Sequence, residues 1–246
     1  MPKPCRTMFL LLALLTVVLP GLAAGASLAD RWIKGLKEVD QELRTQRWAE
    51  AGKQARRVTH EMVNDAGRDK DVAYSLAVAS VFRAIAEEGA GNDDEAAWYW
   101  DTALNLVPEI YKTDLTPYGA PAAALKERRL RIGPLVTGEG LETPDGQSIP
   151  FDKVERPRIV QQVRPDYPDA LVQLGAPGRV VVETVIGIDG RPRQPRVLEA
   201  QGGGPAMKYA ALEAVGQWRF EPARLEGKPV KVYYILTVNF QLRYRR

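Results

Sequence analysis

The chain has 246 residues, of which 45% are hydrophobic and 26% charged, a composition typical of globular proteins and not of disordered or fibrous ones. Its formal net charge of +3 is too small to indicate a nucleic-acid-binding protein. The single cysteine, Cys5, precedes the first apolar run. This position excludes a disulfide and a thiolate metal site in the rest of the chain, and it excludes a lipidated cysteine after that run.

Charge is divided unevenly along the chain. Residues 27–149 hold 16 basic and 21 acidic side chains, whereas residues 150–246 hold 16 basic and 10 acidic ones. An acidic part joined to a basic part is compatible with two units that have different partners or differently solvated surfaces. It is equally compatible with two halves that attract each other.

The first 26 residues have the three parts of a secretory signal peptide. A basic start with Lys3 and Arg6 is followed by apolar residues 8–19 and by small residues in an A-x-A pattern at 24–26. This pattern predicts cleavage after residue 26 and export. The alternative is an uncleaved membrane anchor, because residues 7–24 approach the roughly 20 apolar residues that span a bilayer.

Residues 27–110 are predicted to be helical, because apolar residues recur there at steps of three or four. The last of four predicted helices lies in "GNDDEAAWYWDTALNLVP". Its Gly91, Ala96, Trp100, Ala103 and Pro108 have a spacing that resembles the second half of a tetratricopeptide repeat, in which the aromatic residue fills the core. We therefore predict a tetratricopeptide-like domain with Trp100 in its core. An ordinary four-helix bundle is the alternative.

Prolines, glycines and polar residues accumulate over residues 111–150, which we interpret as a linker with a short helix at 122–131. Residues 151–246 show a mixed α/β pattern. The predicted elements are a short helix at 167–174, a strand at 179–188 ending in the turn Asp189-Gly190, a strand at 196–200, a helix at 205–217 and a long strand at 230–242.

The stretches "RPDYPDALVQLGAPGRVVVETVIGIDGRP" and "AMKYAALEAVGQWRFEPARLEGKPVKVYYILTVNF" together resemble the C-terminal domain of the TonB family. The resemblance covers about 80 residues, roughly the last third of the chain. The shared features keep their order and spacing: Tyr167-Pro168, Gly178, Asp189-Gly190, Ala210-Ala211, Trp218-Arg219-Phe220-x-Pro222, Gly227 and the final hydrophobic strand.

The resemblance implies a periplasmic domain with a three-stranded antiparallel sheet and two helices, so that the whole chain is of the α+β class. Partners would be cell-envelope proteins, an outer-membrane TonB-dependent receptor among them, whose N-terminal segment adds as a strand at the sheet edge. The implied contact residues are Arg164, Pro165, Asp166, Tyr167, Pro168, Val230, Val232, Tyr234, Leu236, Val238 and Phe240.

The chain departs from the family in three ways. Arg164 stands where the transporter-bound prototype of the family has a glutamine. Energy-coupled members keep a membrane helix that bears a histidine, whereas the only histidine here is His60. A helical region also replaces their proline-rich spacer. We therefore expect a non-enzymatic periplasmic binding protein, and the alternative is an inner-membrane-anchored transducer coupled to a proton-motive motor.

No motif for catalysis, a cofactor or a metal is evident, since a lone His60 cannot supply a triad or a multi-histidine site. We expect Trp218, Phe220 and Pro222 to belong to the structural core of the C-terminal domain, at the corner between its second helix and its last strand. Trp98 is expected to be partly exposed. No nucleic-acid partner is expected for an exported protein.

Overall fold

The computed structural model describes residues 26–67, 69–127, 140–142, 148–150 and 152–241. The first 25 residues, which make up nearly all of the predicted signal peptide, lie outside the described residues, and so do residues 242–246. Among the described residues, no helix is both long enough and apolar enough to cross a membrane.

Four helices form the N-terminal domain: α1 (Ala26–Arg44), α2 (Trp48–Asp65), α3 (Val72–Gly89) and α4 (Asp93–Leu106). Each helix packs against the next, and α1 also packs against α3. The small side chains of Ala55, Ala79 and Ala96 are fully buried and let neighbouring helices approach closely, and Trp100 is buried as well. This succession of two helical hairpins is consistent with the tetratricopeptide-like prediction.

Residues 108–127 continue the helical domain. They form two short 3-10 helices (Pro108–Lys112 and Thr116–Tyr118) and helix α5 (Ala120–Glu127). Tyr118 packs edge-on against Phe82, with ring centroids 5.8 Å apart, and donates a hydrogen bond to Asp40 at 2.5 Å. The linker predicted from residue 111 is therefore wrong for this part of the chain, although the short helix predicted at 122–131 is present as α5. Its apolar side chains, including the fully buried Leu125, complete the helical core.

The described C-terminal residues form ten strands and two helices. The strands are β1 (Gly140–Glu142), β2 (Ser148–Pro150), β3 (Val154–Glu155), β4 (Arg158–Gln161), β5 (Gly178–Ile186), β6 (Pro192–Gln201), β7 (Arg219–Glu221), β8 (Ala223–Leu225), β9 (Lys228–Val230) and β10 (Val232–Phe240). The helices are α6 (Asp169–Gln173) and α7 (Gly204–Gly216). The main sheet has the order β10-β5-β6 and is antiparallel throughout. The α+β class and the predicted three-stranded sheet with two helices are confirmed.

The long strand predicted from Val230 is divided in two. Glu226 and Gly227 both have positive φ, as a type I′ hairpin turn requires, and this turn folds β9 back onto β8. Val230 is consequently paired with Ala223 in a second small sheet. The prediction that Val230 belongs to the outer strand is wrong, and that strand, β10, begins at Val232.

The helical and C-terminal domains share one continuous hydrophobic core. Helix α7 fills the space between the main sheet and the helical domain, because it contacts β5 and β6 on one side and α2, α3 and α4 on the other. Most of its side chains are buried accordingly. The two domains therefore pack as one body around α7.

Candidate functional site

Strand β10 forms one edge of the main sheet. Its inner side pairs with β5, from Val232 opposite Ile186 to Phe240 opposite Gly178. No described strand is hydrogen-bonded to its outer side, although β1 lies beside it with Cα atoms within 8 Å. An unpaired strand edge presents a row of backbone N–H and C=O groups that an extended peptide can use.

The side chains of β10 alternate between the two faces of the sheet, as the period of a strand requires. Those of Val232, Leu236, Val238 and Phe240 are buried and that of Tyr234 is half-buried, whereas Ile235 is 48% exposed on the opposite face. The residues implied as contacts on this strand thus have core side chains. What they can offer a partner is the outer backbone edge.

The other edge of the sheet, on β6, is covered by helix α4. The side-chain amide of Asn105 donates a hydrogen bond to the carbonyl oxygen of Pro195 at 2.7 Å, and its oxygen accepts one from the N–H of Val197 at 2.7 Å. Asn105 thus takes the place of a neighbouring strand. The β6 edge is therefore occupied at Pro195 and Val197, whereas residues 198–201 of this strand are exposed.

The segment of residues 164–168 lies at the end of β10. The ring of Tyr167 packs edge-on against Phe240, with centroids 5.5 Å apart, and its hydroxyl donates a hydrogen bond to the carbonyl oxygen of Ala176. Pro168 is buried beside it and ends the segment just before α6. The structure therefore brings Tyr167 and Pro168 next to the last residue of β10.

The other three residues of this segment differ in exposure. Arg164 and Asp166 are exposed, and Pro165 is half-buried. The preceding residue, Val163, accepts a hydrogen bond from Trp218 Nε1 at 2.7 Å through its carbonyl oxygen. The segment is thus fixed at both ends, and its charged side chains are accessible to a partner.

The corner between α7 and β10 is held by aromatic contacts. Trp218 and Phe220 are both buried, with ring centroids 6.2 Å apart, and Phe220 also packs edge-on against Tyr234 of β10. The N–H of Phe220 donates a hydrogen bond to Gly190, where φ is +75° and a Cβ would collide with the Phe220 backbone. Only glycine fits this turn. Pro222 is half-buried between β7 and β8, at the margin of the core.

Comparison with known proteins gives a match for the C-terminal part of the chain. Residues 163–242 match the family model described as Gram-negative bacterial TonB protein C-terminal. This region is a TonB C-terminal domain. A curated relative, "Protein TonB" of Vibrio cholerae serotype O1, is 33% identical over 90 residues, which are 36% of each chain. The solution NMR structure of the Pseudomonas aeruginosa TonB CTD is 29% identical and covers 37% of this chain and 92% of that one, with a TM-score of 0.31.

The present chain spans about a third of the length of the curated relative it matches, and the family model covers residues 163–242 alone. The helical domain lies outside the match with the family model, which begins at residue 163. The family match therefore gives no information on the contacts between the two domains.

Glu213 of α7 is the polar centre of the interface between the helical domain and the TonB C-terminal domain. Its carboxylate accepts hydrogen bonds from Arg83 Nη1 at 3.1 Å, from the Tyr99 hydroxyl at 3.1 Å and from the Tyr209 hydroxyl at 2.9 Å. The guanidinium of Arg83 also stacks on the Tyr99 ring at 3.7 Å. Burial and the charge of Glu213 raise the pKa of Tyr99, so its hydroxyl stays a hydrogen-bond donor.

Ion pairs at the rim of the same interface join acidic side chains of α4 to basic ones of the β5–β6 hairpin. Asp94 pairs with Arg193 at 2.8 Å, and Glu95 lies 3.7 Å from Arg191. These two contacts have the polarity expected if an acidic half attracts a basic half. The buried pair of Arg83 and Glu213 has the reverse polarity.

Trp98, expected to be partly exposed, is buried against Gly216 at the end of α7. A Cβ on Gly216 would lie 2.8 Å from the Trp98 ring. The expectation for Trp98 is therefore wrong. It treated the helical domain as a separate unit, whereas α7 covers this side chain.

Sequence reasoning did not identify Arg83, Asn105 or Glu213 as important residues. One local signal was present for Arg83, the only charged side chain between Val72 and Ala86 of the otherwise apolar helix α3. A charge in such a position needs a partner. The partner itself could not be identified, because it lies 130 residues further along the chain.

Among the described residues, no group of three or more histidine, cysteine, aspartate or glutamate side chains is placed to hold a metal ion. His60 is exposed on α2, with its ring nitrogen 3.0 Å from the side-chain amide of Asn64. The candidate site therefore consists of three features: the outer backbone edge of β10, the segment of residues 164–168, and the interface between the helical and TonB C-terminal domains.

Proposed function

We propose that this chain is a non-catalytic periplasmic TonB-type binding protein that accepts an extended segment of an envelope protein along the outer edge of β10. The observation that supports this proposal is the asymmetry of the sheet. Its β6 edge is occupied by Asn105 and α4, while no described strand pairs with its β10 edge. The partner segment, the N-terminal segment of an outer-membrane receptor, adds as an antiparallel or parallel fourth strand.

The segment of residues 164–168 extends this surface. Its exposed Arg164 and Asp166 precede Tyr167, whose ring packs against Phe240 at the end of β10. A bound strand would run past these two charged side chains, which then select among partner sequences by charge. Main-chain hydrogen bonds supply most of the affinity.

The helical domain holds a second protein partner in this proposal. Because the helical domain shares a continuous core with α7 and is bonded to it through Arg83 and Glu213, a partner bound to the helices would have a defined orientation relative to the β10 edge. The chain then works as an adaptor that links two envelope components, without an enzymatic activity of its own.

Two exposed apolar residues on opposite edge strands provide a matched test. Ile235 lies on β10 and Leu198 lies on β6, and they are 48% and 37% exposed. With a synthetic peptide of a receptor N-terminal segment, we expect Ile235→Asp to weaken binding by about tenfold, equivalent to ~1.4 kcal/mol, and Leu198→Asp to leave it nearly unchanged. Isothermal titration calorimetry measures both affinities.

Hydrogen exchange followed by NMR locates the bound peptide directly. Outward-facing amide protons of β10 should exchange more slowly in the complex, and those of β6 should not change. Equal losses of affinity in the two variants, or protection confined to the helical domain, would refute strand addition at β10.

Localisation is tested on the exported protein itself. We expect cleavage after residue 26, which leaves Ser27 as the first residue and removes only the first residue of α1. Mass spectrometry of the intact protein from a periplasmic extract gives the N-terminus. An intact form that starts at Met1 and sediments with membranes would support the anchored transducer instead.

A further inference from the structure

A cavity of about 410 Å³ lies between the helical domain and the TonB C-terminal domain. One wall is formed by α2, α3 and α4, with Arg56, Trp98 and Tyr99 among its side chains. The other is formed by the turn at Arg191, the end of α7 and the start of β7 at Arg219. Its volume lies within the range typical of small-molecule sites, roughly 300–1,000 Å³, and such sites often lie between domains.

Several charges in the cavity wall already neutralise each other. Arg83 is bonded to Glu213, and Asp94 is paired with Arg193. Neither pair has a net charge to offer a ligand. Both pairs keep the two walls at a fixed separation, because each joins the helical domain to the TonB C-terminal domain.

Three further guanidinium groups line the cavity, and none of them is hydrogen-bonded to a carboxylate among the described residues. Arg56 forms no ion pair with any residue that the structure describes, and Arg219 donates only to the carbonyl oxygens of Gly216 and Trp218. Arg191 reaches Glu95 at 3.7 Å and Asp189 at 3.9 Å, distances too long for hydrogen bonds. The cavity is lined by four arginine and three carboxylate side chains, Glu95 among them, so its surplus is one positive charge.

Apolar surface accompanies this charge. Trp98 packs on Gly216 with 7% of its surface accessible, and Tyr99 is fixed by its hydrogen bond to Glu213. Both rings therefore have fixed positions in the cavity wall. Ligand sites commonly combine such an apolar wall with a few convergent polar groups.

From this arrangement we infer a binding site for a small anion that carries at least two carboxylate or phosphate groups. Arginine binds both groups through paired N–H donors, and in a partly enclosed cavity such charge-assisted hydrogen bonds are stronger than at an open surface. Arg56, Arg191 and Arg219 bind the anionic groups, and the rings of Trp98 and Tyr99 contact the body of the ligand.

The ligand also acts on the interface between the domains. Arg56 belongs to the helical domain, whereas Arg191 and Arg219 belong to the TonB C-terminal domain. An anion that bridges them binds only when the domains are docked, and it raises the melting temperature of the docked protein by mass action.

Citrate and pyrophosphate are the probes, titrated by calorimetry into the full mature chain at low ionic strength. We expect saturable one-to-one binding of at least one of them, and the tighter probe shows whether carboxylates or phosphates are preferred. Arg56→Gln should weaken that binding by about tenfold or more. Arg219→Gln should do the same from the opposite wall.

Arg57→Gln is the matched control. Arg57 is the next residue on α2, is exposed, and lies 3.7 Å from Glu38, away from the cavity. The Arg57→Gln substitution removes the same charge as Arg56→Gln but away from the cavity, so it should change the affinity by less than about twofold. Circular dichroism shows that each variant is folded. Absence of saturable binding for both anions, or equal loss in the Arg57 and Arg56 variants, would overturn the site.

Discussion

The guanidinium of Arg83 and the carboxylate of Glu213 are joined across 130 residues of sequence, with Nη1 at 3.1 Å from both carboxylate oxygens. Their side chains are 6% and 27% exposed. Arg83 belongs to the helical domain and Glu213 to the TonB C-terminal domain. Burial of the Arg83 cation would be unfavourable without the Glu213 carboxylate beside it, so the docking of the two domains depends on this pair.

Glu213→Gln should be the most disruptive single change at this interface. It leaves the buried Arg83 cation uncompensated, which costs about 3–5 kcal/mol of the free energy of unfolding. Arg83→Met should cost less, because Glu213 is more exposed and keeps the hydroxyl groups of Tyr99 and Tyr209 as donors. Urea denaturation followed by tryptophan fluorescence measures both. A larger loss in Arg83→Met would contradict this account.

Asn105→Ala should uncover the edge of β6. The variant leaves the Pro195 carbonyl and the Val197 N–H without their partner, at a cost of about 1–3 kcal/mol. It should also self-associate as concentration rises, because a second sheet edge becomes available. Sedimentation velocity over a concentration series detects this.

The control for Asn105 is Asn64→Ala. Asn64 also bridges the two domains, but through a 3.4 Å contact to the N–H of Asp169 at the surface. Its removal should change stability by less than ~0.5 kcal/mol and leave the protein monomeric. If both variants self-associate alike, protection of the β6 edge by Asn105 is not the cause.

Asp101 makes stability depend on pH near neutrality. It lies on the buried face of α4, and burial raises its pKa from 3.8 to about 7. Because the folded-state pKa lies above the unfolded-state value, its favourable contribution is complete below about pH 4. That contribution is lost as the pH rises through 7.

Asp101→Asn should remove this dependence. At pH 8 the variant should be more stable than the wild type, by up to ~4 kcal/mol, and at pH 4 the two should be alike. Thermal denaturation at intervals from pH 4 to pH 8 tests the difference. Asp189 is a useful contrast, since hydrogen bonding to Arg193 lowers its pKa to about 2, so its stabilising contribution is complete above about pH 5 and adds no slope between pH 5 and pH 8. Equal pH profiles for wild type and Asp101→Asn would be evidence against this assignment.

Much of the TonB C-terminal domain could be predicted from the sequence because its signals are local. The alternation of apolar residues locates β5 and β10, and Asp189-Gly190 marks the turn between β5 and β6 because only glycine adopts the φ observed at Gly190. The start of the outer strand could not be placed in the same way. Val230 continues the alternation, but the turn at Gly227 pairs it with another strand.

The contacts between domains could not be predicted, for a physical reason. Helix periodicity shows which face of a helix is buried but not which element covers it. Trp98 and Asn105 lie on the face of α4 that meets α7 and β6, and nothing local distinguishes this face from one exposed to solvent. The cavity at Arg56 and Arg219 likewise exists only once the domains are docked.

Trp218→Ala should unfold the TonB C-terminal domain instead of acting on binding alone. Trp218 is 2% exposed, packs on Phe220 and donates a hydrogen bond to Val163. Truncation leaves a cavity and an unpaired carbonyl, at a cost of about 3–5 kcal/mol. Trp218→Phe keeps most of the buried area and should cost roughly 1–3 kcal/mol, mainly from the lost hydrogen bond. Denaturant titrations rank the two variants, and near-ultraviolet circular dichroism reports whether the aromatic corner stays ordered. A Trp218→Ala protein with a native spectrum and weakened peptide binding would show that this side chain contacts the partner directly.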